Sequence, residues 1–413
     1  MQVPPSGGHR PALPATRIPP HVQHALRERP ADASGYVYDL DAVTARARRL
    51  RDALPGEVEV CFAMKANSHP DVLAALVRGG LDGFDVASTS ELEAATALRC
   101  RHEALRVMAT GPAKTDAFLA ALVDRRADVV NVESVLEVHR LSALAAARGV
   151  TVPVALRVNP REVAVGGSLV MGGTATQFGI PEDEAGDVVR LVQELPGLDP
   201  VGFHIHAVCQ NLDAAAHASY VAWCVDWTRL LADKHGLDLR VVDVGGGIGV
   251  PFDGGEPAFD VEHFGAALER LELPVGTRLV VEPGRWLVTE AGWYAARVVD
   301  LKQAYGETFA LVRGGINHFQ LPISWDIVHN FAVLPVEEWP HDFDRPQAVD
   351  TSVTLVGELC TTEDTLARDI RVSRIRAGDL VVFPDAGSYG WEFAMPSFLG
   401  HPPAERAVVR HET

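Results

Sequence analysis

The sequence predicts a (β/α)8 barrel followed by an all-β domain, and three observations support this fold class. Between residues 57 and 284, eight short apolar, β-branched runs alternate with longer amphipathic stretches of helical period. After about residue 288 the helical period gives way to short strands separated by Gly, Asp and Pro turns. The length of 413 residues suits a barrel of roughly 250 residues with a smaller partner domain. An open doubly wound sheet is the competing interpretation, because alternation alone does not prove closure.

The elements follow in chain order. Residues 1–30 are rich in Pro and His, and we expect a flexible arm there. The barrel is expected over residues 40–287, and the β domain over residues 31–39 together with 288–413. The predicted barrel strands are EVEVCFAMKAN (57–67), GFDVAS (83–88), LRVMAT (105–110), DVVNVES (128–134), VPVALRVN (152–159), PVGFHIHAV (200–208), LRVVDVGGG (239–247) and TRLVVEPG (277–284).

The β domain is predicted from segments that are dense in β-branched residues. An early strand, GYVYDL (35–40), is expected to complete it. The turn RAGD before LVVF indicates a local hairpin. The later segments are AARVVDLKQAYGETFALVRGG, DTSVTLVGEL, IRVSRIRAGDLVVF and AERAVV.

Charge and composition exclude several classes of partner. The chain has 37 Lys and Arg against 55 Asp and Glu, so it has no general attraction for nucleic acid or anionic lipid. No apolar run approaches the roughly 18 residues of a membrane span, and the N-terminal segment lacks the apolar core of a secretion signal. The 5 cysteines are odd in number and show no CxxC spacing, which favours a reduced, cytoplasmic setting over a disulfide framework.

Several residue types that carry chemistry occur where predicted barrel strands end, at the end of the barrel that forms active sites. Lys65 follows an apolar run, and partial desolvation there would lower its pKa and make a nucleophilic amine. His204 and His206 share one face of the sixth strand. They could stack on a flat ring, bind a metal or simply pack, but no carboxylate or cysteine completes a zinc spacing, so no metal is expected.

The last two barrel strands end in an anion-binding pattern. Gly245, Gly246 and Gly247 would let backbone N–H groups approach a phosphate, although a tight βα turn also explains them. Glu282 and Arg285 in EPGR could hold a protonated ring nitrogen and a phosphate, or form a surface ion pair. An amine, an imidazole, a phosphate cradle and this acid–base pair at one rim together describe a pyridoxal phosphate site.

Two further candidates lie in the predicted β domain. Cys360 precedes the polar run TTED, which indicates a loop rather than a core strand. Tyr389 stands between Gly387 and Gly390, as a tyrosine presented from a tight turn would, although simple packing is the alternative.

In order along the chain, these motifs resemble those of the fold-type III pyridoxal phosphate decarboxylases, the alanine-racemase-like family that includes diaminopimelate and ornithine decarboxylases. The resemblance runs from about residue 36 to the end, through YVYD, AMKAN, FDVAS, RVN, QFGI, GFHIH, VDVGGGIG, VEPGR and DAGSYG. It implies a decarboxylase that binds pyridoxal 5′-phosphate covalently through Lys65, stacks His206 on the ring and pairs Glu282 with the ring nitrogen. The other positions that it assigns to cofactor binding are Asp85, Arg157, Cys209, Gly245, Gly246, Gly247, Gly284, Arg285 and Tyr389.

The resemblance also implies that Cys360 is catalytic and returns a proton to the substrate from the other subunit of a head-to-tail homodimer. Two positions depart from the family pattern. Cys209 stands where a serine is common, which puts one phosphate contact in doubt. Thr361 stands where diaminopimelate decarboxylases have an acidic residue, so a diamino acid substrate is disfavoured.

The segments LVRGGINHFQLPISWDIVHNF and LVGELCTTEDTLARD resemble the branch of the family that serves siderophore and specialised-metabolite biosynthesis. This likeness implies a small-molecule α-amino acid substrate with a large, carboxylate-bearing tail, similar to citryl-diaminopropionate. The alternatives are a carrier-protein-bound aminoacyl group, diaminopimelate or ornithine, and, in other classes, an amino-acid racemase or a non-catalytic pyridoxal phosphate carrier. The candidate contacts to the substrate are His318, His329, Thr361, Asp364 and His401.

Overall fold

The computed structural model describes residues 10–30, 33–163, 169–170, 175–252, 256–324 and 329–411. The chain divides into two compact units. The barrel unit comprises residues 44–250 and 257–287, and the β unit comprises residues 1–43, 251–256 and 288–413. Within the described residues no helix is long and apolar enough to cross a membrane.

The strands, numbered along the described chain, are β1 (Arg10–Pro11), β2 (Gly35–Asp39), β3 (Val58–Ala63), β4 (Gly83–Val86), β5 (Arg106–Ala109), β6 (Val129–Val132), β7 (Val152–Asn159), β8 (Leu169–Val170), β9 (Ile180–Pro181), β10 (Leu198–His204), β11 (Val208–Cys209), β12 (Val241–Asp243), β13 (Arg278–Val281), β14 (Gly292–Ala304), β15 (Glu307–Val312), β16 (Ala332–Leu334), β17 (Gln347–Val356), β18 (Thr365–Arg376), β19 (Leu380–Phe383) and β20 (Glu405–Val409).

The α-helices are α1 (Pro20–Arg27), α2 (Leu40–Ala53), α3 (Pro70–Arg78), α4 (Thr89–Arg99), α5 (Asp116–Asp124), α6 (Val135–Arg148), α7 (Glu182–Glu194), α8 (Ala214–His235), α9 (Val261–Leu268), α10 (Arg285–Val288) and α11 (Leu321–Ser324). Their boundaries follow local chemistry. For example, the side chain of Ser134 accepts a hydrogen bond from the Glu137 backbone N–H at the start of α6, and Gly149 ends that helix in the left-handed conformation.

The barrel unit is a closed parallel barrel. Eight strands pair in the order β3-β4-β5-β6-β7-β10-β12-β13, and β13 pairs with β3 to complete the ring. This confirms the predicted (β/α)8 fold over the open doubly wound sheet. Seven of the barrel strands each contribute one residue to a buried apolar cluster, formed by Cys61, Met108, Val129, Ala155, Val201, Val241 and Val280.

The β unit is built around β14, which pairs antiparallel with β15, β19 and β2. The predicted early strand is β2, and it lies between β14 and β20. The turn over residues 376–379 forms as the sequence indicates, but it makes no hairpin. Strand β18 pairs with β17 and β1, whereas β19 pairs with β14 and β16, so the turn connects two strands that are not neighbours in the sheet.

The prediction of a flexible arm over residues 1–30 is wrong for residues 10–30, which are ordered. Helix α1 begins at Pro20, a residue suited to the first helical position. Ile18, Val22 and Leu26 form one apolar stripe that is fully buried in the core of the β unit. The spacing of these three apolar residues outweighs the surrounding Pro and His content. Residues 1–9 lie outside the described chain.

Candidate active site

Strand register brings the predicted rim residues together. His204, the last residue of β10, is the register partner of Asp243 on β12 and of Arg157 on β7. Glu282 directly follows β13, and Lys65 lies in the 3-10 turn Met64–Ala66 that follows β3. Because parallel strands present their carboxyl ends at one edge, these side chains all belong to the same mouth of the barrel.

Lys65 lies beside Asp85. Its Nζ is 3.6 Å from Oδ2 of Asp85, and its side chain is 45% exposed, whereas that of Asp85 is 1% exposed. The desolvation expected of Lys65 is therefore only partial. Burial and the charge of Glu282 raise the pKa of Asp85 to about 7, although Lys65 and Thr110 oppose the shift.

Glu282 is the centre of a fully buried polar group. Its Oε2 accepts a hydrogen bond from Nε2 of His204 at 3.2 Å, and Asp243 lies close to both. Burial alone would raise the pKa of Glu282, but the hydrogen bond and charge of His204, together with Lys65, lower it to about 2. Its other oxygen, Oε1, is buried and accepts no hydrogen bond within the described residues. Glu282 is thus an ionised acceptor with one oxygen available to a donor.

His206 is fixed in one tautomer. The Gly246 backbone N–H donates to Nδ1 of His206 at 3.2 Å, so a neutral ring carries its proton on Nε2. That nitrogen lies 3.3 Å from Sγ of Cys209. Burial and the charges of Lys65 and Arg157 lower the pKa of His206 well below its ordinary value, which keeps the ring neutral.

The glycine run forms a tight cradle. Gly245 and Gly247 have φ of +67° and +102°, a conformation that other residues rarely adopt. A Cβ on Gly246 would lie 2.3 Å from the carbonyl oxygen of Glu282, so the run packs directly on the strand that carries the acid. Arg285 is 8% exposed and begins α10 directly after Gly284. Backbone N–H groups and a guanidinium are the donors that phosphate requires.

Arg157 is held by an ion network that the sequence did not predict. Nη1 of Arg157 donates to Oε1 of Glu133 at 2.8 Å, and Glu133 also accepts the backbone N–H groups of Gly111 and Gly179. The Arg157 guanidinium lies 4.8 Å from the centre of the Phe178 ring. Glu133 directly follows β6, so the strand-end criterion that found Lys65 would also have found it.

In the β unit, Cys360 is exposed in the loop between β17 and β18. Asp364 fastens that loop: its Oδ1 accepts the Ile316 N–H at 2.8 Å, and its Oδ2 accepts the Leu359 N–H at 2.7 Å. Asp364, predicted as a substrate contact, is 2% exposed and committed to these backbone bonds. Thr361 hydrogen-bonds within the same loop, to the Glu363 N–H.

The three predicted histidine contacts differ in environment. His318 is buried, and its two ring nitrogens bond to Ser34 and to the Pro402 carbonyl at 2.9 and 2.8 Å. His329 is buried among aromatic rings and bonds to the Pro384 carbonyl. Both therefore have structural bonds within the β unit. His401 is half-buried, with Nδ1 3.7 Å from Glu358.

Tyr389 lies in the tight turn that its flanking glycines predict. Its φ is +57°, a left-handed conformation, and its ring packs edge-on against Phe393 at 5.7 Å between centroids. Gly387 is required here because a Cβ would lie 1.8 Å from the Val288 carbonyl oxygen.

Two sets of three side chains in the described residues bring metal-ligand atom types together, within 4.8 Å of one another. One is His204, Asp243 and Glu282. The other is His21, Asp39 and His411 in the β unit, where both imidazoles bond to Oδ2 of Asp39 at 2.8 and 3.1 Å.

The barrel residues fit pyridoxal phosphate. The buried and ionised Glu282 has an acceptor available for a protonated ring nitrogen, and Lys65 is an amine at the same rim. The cradle formed by Gly245–Gly247 and the buried Arg285 suit its phosphate.

Comparison with known proteins agrees with this geometry. The family described as "Pyridoxal-dependent decarboxylase, pyridoxal binding domain" matches residues 40–289. The chain is 33% identical to a 2-[(L-alanin-3-ylcarbamoyl)methyl]-2-hydroxybutanedioate decarboxylase of Staphylococcus aureus, over 94% of this chain and 97% of that protein. It is 30% identical to an L-glutamyl-[BtrI acyl-carrier protein] decarboxylase of Niallia circulans, over 89% and 86% of the two chains.

A solved structure supports the fold. The diaminopimelate decarboxylase of Helicobacter pylori, complexed with L-lysine, superposes with a TM-score of 0.81 and covers 94% of each chain at 23% identity. The family match and the relatives above assign the cofactor as pyridoxal phosphate, and the chain belongs to the pyridoxal-dependent amino-acid decarboxylases.

Proposed function

We propose that this enzyme decarboxylates an α-amino acid whose side chain ends in a hydroxylated dicarboxylate, as in the substrate that names the Staphylococcus aureus relative. The likeness to that protein over nearly the full length of both chains supports this substrate class. The main support for the proposed chemistry is Glu282. This residue is buried and ionised, it has one oxygen available, and it lies on the same rim as Lys65.

Each barrel residue has its own proposed role toward the cofactor. Lys65 would hold the cofactor covalently, His206 would lie against its ring, and Glu282 would keep the ring nitrogen protonated. Gly245–Gly247, Gly284 and Arg285 would bind the phosphate, and Asp85, Arg157 and Cys209 would complete the surroundings. When bound, pyridoxal phosphate supplies the electron sink that accepts the electron pair left behind as CO2 departs.

Two residues of the β unit complete the proposal. Cys360 is exposed on its loop, and we assign to its thiol the delivery of a proton to the former α-carbon of the substrate. Tyr389 is assigned to the phosphate. His401, half-buried beside Glu358, and Thr361 are kept as candidate contacts to the substrate tail, while Asp364 keeps the cysteine loop in place.

We further propose a head-to-tail homodimer that shares active sites. Phe393, Met395, Phe398 and Leu399 expose between 40% and 52% of their surface within one short segment, an apolar patch of the kind that interfaces bury. Mixing a Lys65→Ala enzyme with a Cys360→Ala enzyme tests the proposal. Shared sites restore activity in the mixed dimers, whereas self-contained sites leave the mixture inactive.

We place the enzyme in the cytoplasm. All five cysteines are free, and two of them, Cys100 and Cys360, are exposed thiols that a reducing compartment would preserve.

The substrate proposal is tested by mass spectrometry after incubation with citryl-diaminopropionate, diaminopimelate, ornithine and a carrier-bound glutamyl group. We expect loss of CO2 from the first. Decarboxylation of diaminopimelate alone would contradict the proposed tail chemistry, and turnover of only the carrier-bound group would move the enzyme to the class of the Niallia circulans relative. Retention of the carboxylate with scrambled stereochemistry would identify a racemase.

A further inference from the structure

The motif VDVGGGIG contains an acid, Asp243, to which the proposed function gives no role. Asp243 ends β12, is fully buried, and its Oδ1 accepts the Gly245 backbone N–H at 2.9 Å. One carboxylate thus contacts the phosphate cradle directly and stands beside the acid that would hold the ring nitrogen.

Two carboxylates and one imidazole share this buried space. Oxygen atoms of Asp243 and Glu282 lie within 4.8 Å of each other, and Oδ2 of Asp243 and Oε1 of Glu282 are buried without a hydrogen-bond partner in the described chain. Two adjacent carboxylates that are both buried cannot both ionise at low cost, so one of them retains a proton. A protonated carboxyl group is also a donor, and the lone pairs of the Glu282 carboxylate are enough to accept from His204, from Asp243 and from a ring nitrogen.

His204 determines which acid is ionised. Its Nε2 donates to Glu282 at 3.2 Å but lies 4.0 Å from Oδ1 of Asp243. Glu282 therefore receives the direct hydrogen bond, and hydrogen bonding to the charged form favours ionisation. Asp243 lacks that donor and is the acid that retains the proton.

We propose that Asp243 and His204 are positioning residues for Glu282: Asp243 stays protonated and donates to Glu282, His204 donates through Nε2, and the negative charge of the cluster is confined to Glu282. This inference rests on the proposed function, because it explains how the partner of the ring nitrogen is oriented. Through Gly245, Asp243 also couples that acid to the phosphate cradle.

The surrounding titratable groups favour this distribution of charge. Burial and the charge of Glu282 raise the pKa of Asp243 well above its ordinary value, and burial lowers the pKa of His204. The titratable or charged groups that act on the cluster from its surroundings are Cys61 of β3, Lys65, Asp85 of β4, Glu133, Arg157 of β7, His206 and Cys224 of α8.

The first test uses the apoprotein and needs no cofactor. Infrared spectroscopy at about pH 8.5 detects the carbonyl stretch of a protonated carboxylic acid among ionised ones. The measurement is made in an Asp85→Asn background, because a pKa of about 7 gives Asp85 a protonated fraction of its own. We expect the band in this background and its loss on adding Asp243→Asn. Absence of the band, or its persistence after Asp243→Asn, would overturn the inference while leaving the proposed function intact.

The second test measures the dissociation constant of pyridoxal phosphate. Asparagine reproduces both hydrogen bonds of a protonated aspartic acid, so Asp243→Asn should stay within about threefold of the wild type, whereas Asp243→Ala should weaken binding about 10- to 100-fold. At His204, Gln keeps a donor and should bind at least tenfold more tightly than Phe, roughly the value of a hydrogen bond to a charged group.

Ser142→Ala is the matched control, because it removes a different buried hydrogen bond, from α6 to the Pro196 carbonyl. Equal losses for Asp243→Asn and Asp243→Ala would mean that Asp243 acts as a charge, and would refute the proposal. Failure of the wild type to bind the cofactor would instead refute the proposed function, and the infrared result would stand by itself.

Discussion

Replacing Lys114 with Met tests how the barrel rim is supported. Lys114 is 3% exposed, and its Nζ donates to the Gly111 carbonyl, the Asn131 carbonyl and Oε1 of Glu137 at 2.8, 2.8 and 2.7 Å. Glu137 in turn accepts the backbone N–H of Glu133, the residue that holds Arg157. Methionine keeps the unbranched shape of the side chain, one atom shorter, and removes its charge and its donors.

The expected cost comes mainly from Glu137. Burial already raises the pKa of this carboxyl even with Lys114 beside it. Without the ammonium group it takes up a proton, and protonating a carboxyl of ordinary pKa 4.5 at pH 7 costs about 3.4 kcal/mol. The two carbonyl groups lose their donor as well, so the total is about 3–5 kcal/mol, as for other broken buried ion pairs.

The destabilisation caused by Lys114→Met depends on pH. A protonated Glu137 needs no cation, so the destabilisation is largest at neutral pH and shrinks as the pH falls toward 4.5. At pH 5 the protonation cost is only about 0.7 kcal/mol. For a unit of this size, scanning calorimetry should show a loss in Tm of about 10 °C at pH 7 and a much smaller loss at pH 5.

Two further variants complete the experiment. Lys114→Met combined with Glu137→Leu removes both charges and should recover most of the lost Tm. Arg148→Met, which breaks the surface pair with Asp124, is the control and should leave Tm unchanged. An equal loss at both pH values, or a double variant as unstable as the single one, would refute the reasoning.

Three other predictions concern the cofactor, the proton donor and acid stability. Purified protein should be yellow, and borohydride should fix a pyridoxyl group on Lys65; covalent labelling of a Lys65→Ala variant would contradict the assignment. Cys360→Ala should lower kcat by at least tenfold and leave the cofactor spectrum unchanged, and unaltered turnover would rule out its role as proton donor. Burial opposes ionisation of Asp39, but the Ala42 N–H and His21 lower its pKa below the ordinary 3.8. Since a lowered native pKa stabilises above 3.8 and loses that stabilisation as the pH falls through the native value, Asp39→Asn should lower Tm at pH 7 and converge with the wild type in acid.

The barrel and its rim were predictable because parallel strands place their last residues at one edge. That rule made Lys65 and Glu282 candidates, the chemistry of phosphate binding added the glycine run and Arg285, and the family resemblance gave each of them its role. The sequence predicts that His204 shares a strand face with His206, but β10 ends at His204, and the role of His204 depends on register with Asp243, which periodicity does not reveal.

Other features depend on contacts between residues far apart in the chain. Lys114 lies in the loop before α5, and only the folded barrel brings it to Glu137 on α6. The burial of His318 and His329 likewise arises from the packing of the β unit, so sequence alone suggested accessible histidines. Ile18, Val22 and Leu26 show a helical stripe, but the Pro and His around them concealed it.

The register that pairs His204 with both Asp243 and Arg157 has an evolutionary consequence. The groups assigned to the cofactor lie on or next to a hydrogen-bonded ladder, where a shift of one residue would turn side chains to the opposite face. The segment around His401 lies on a surface connection, which tolerates change far more readily. In related proteins, the specificity for the substrate tail can therefore change through the surface loops, while the barrel residues assigned to breaking the carbon–carbon bond stay in place.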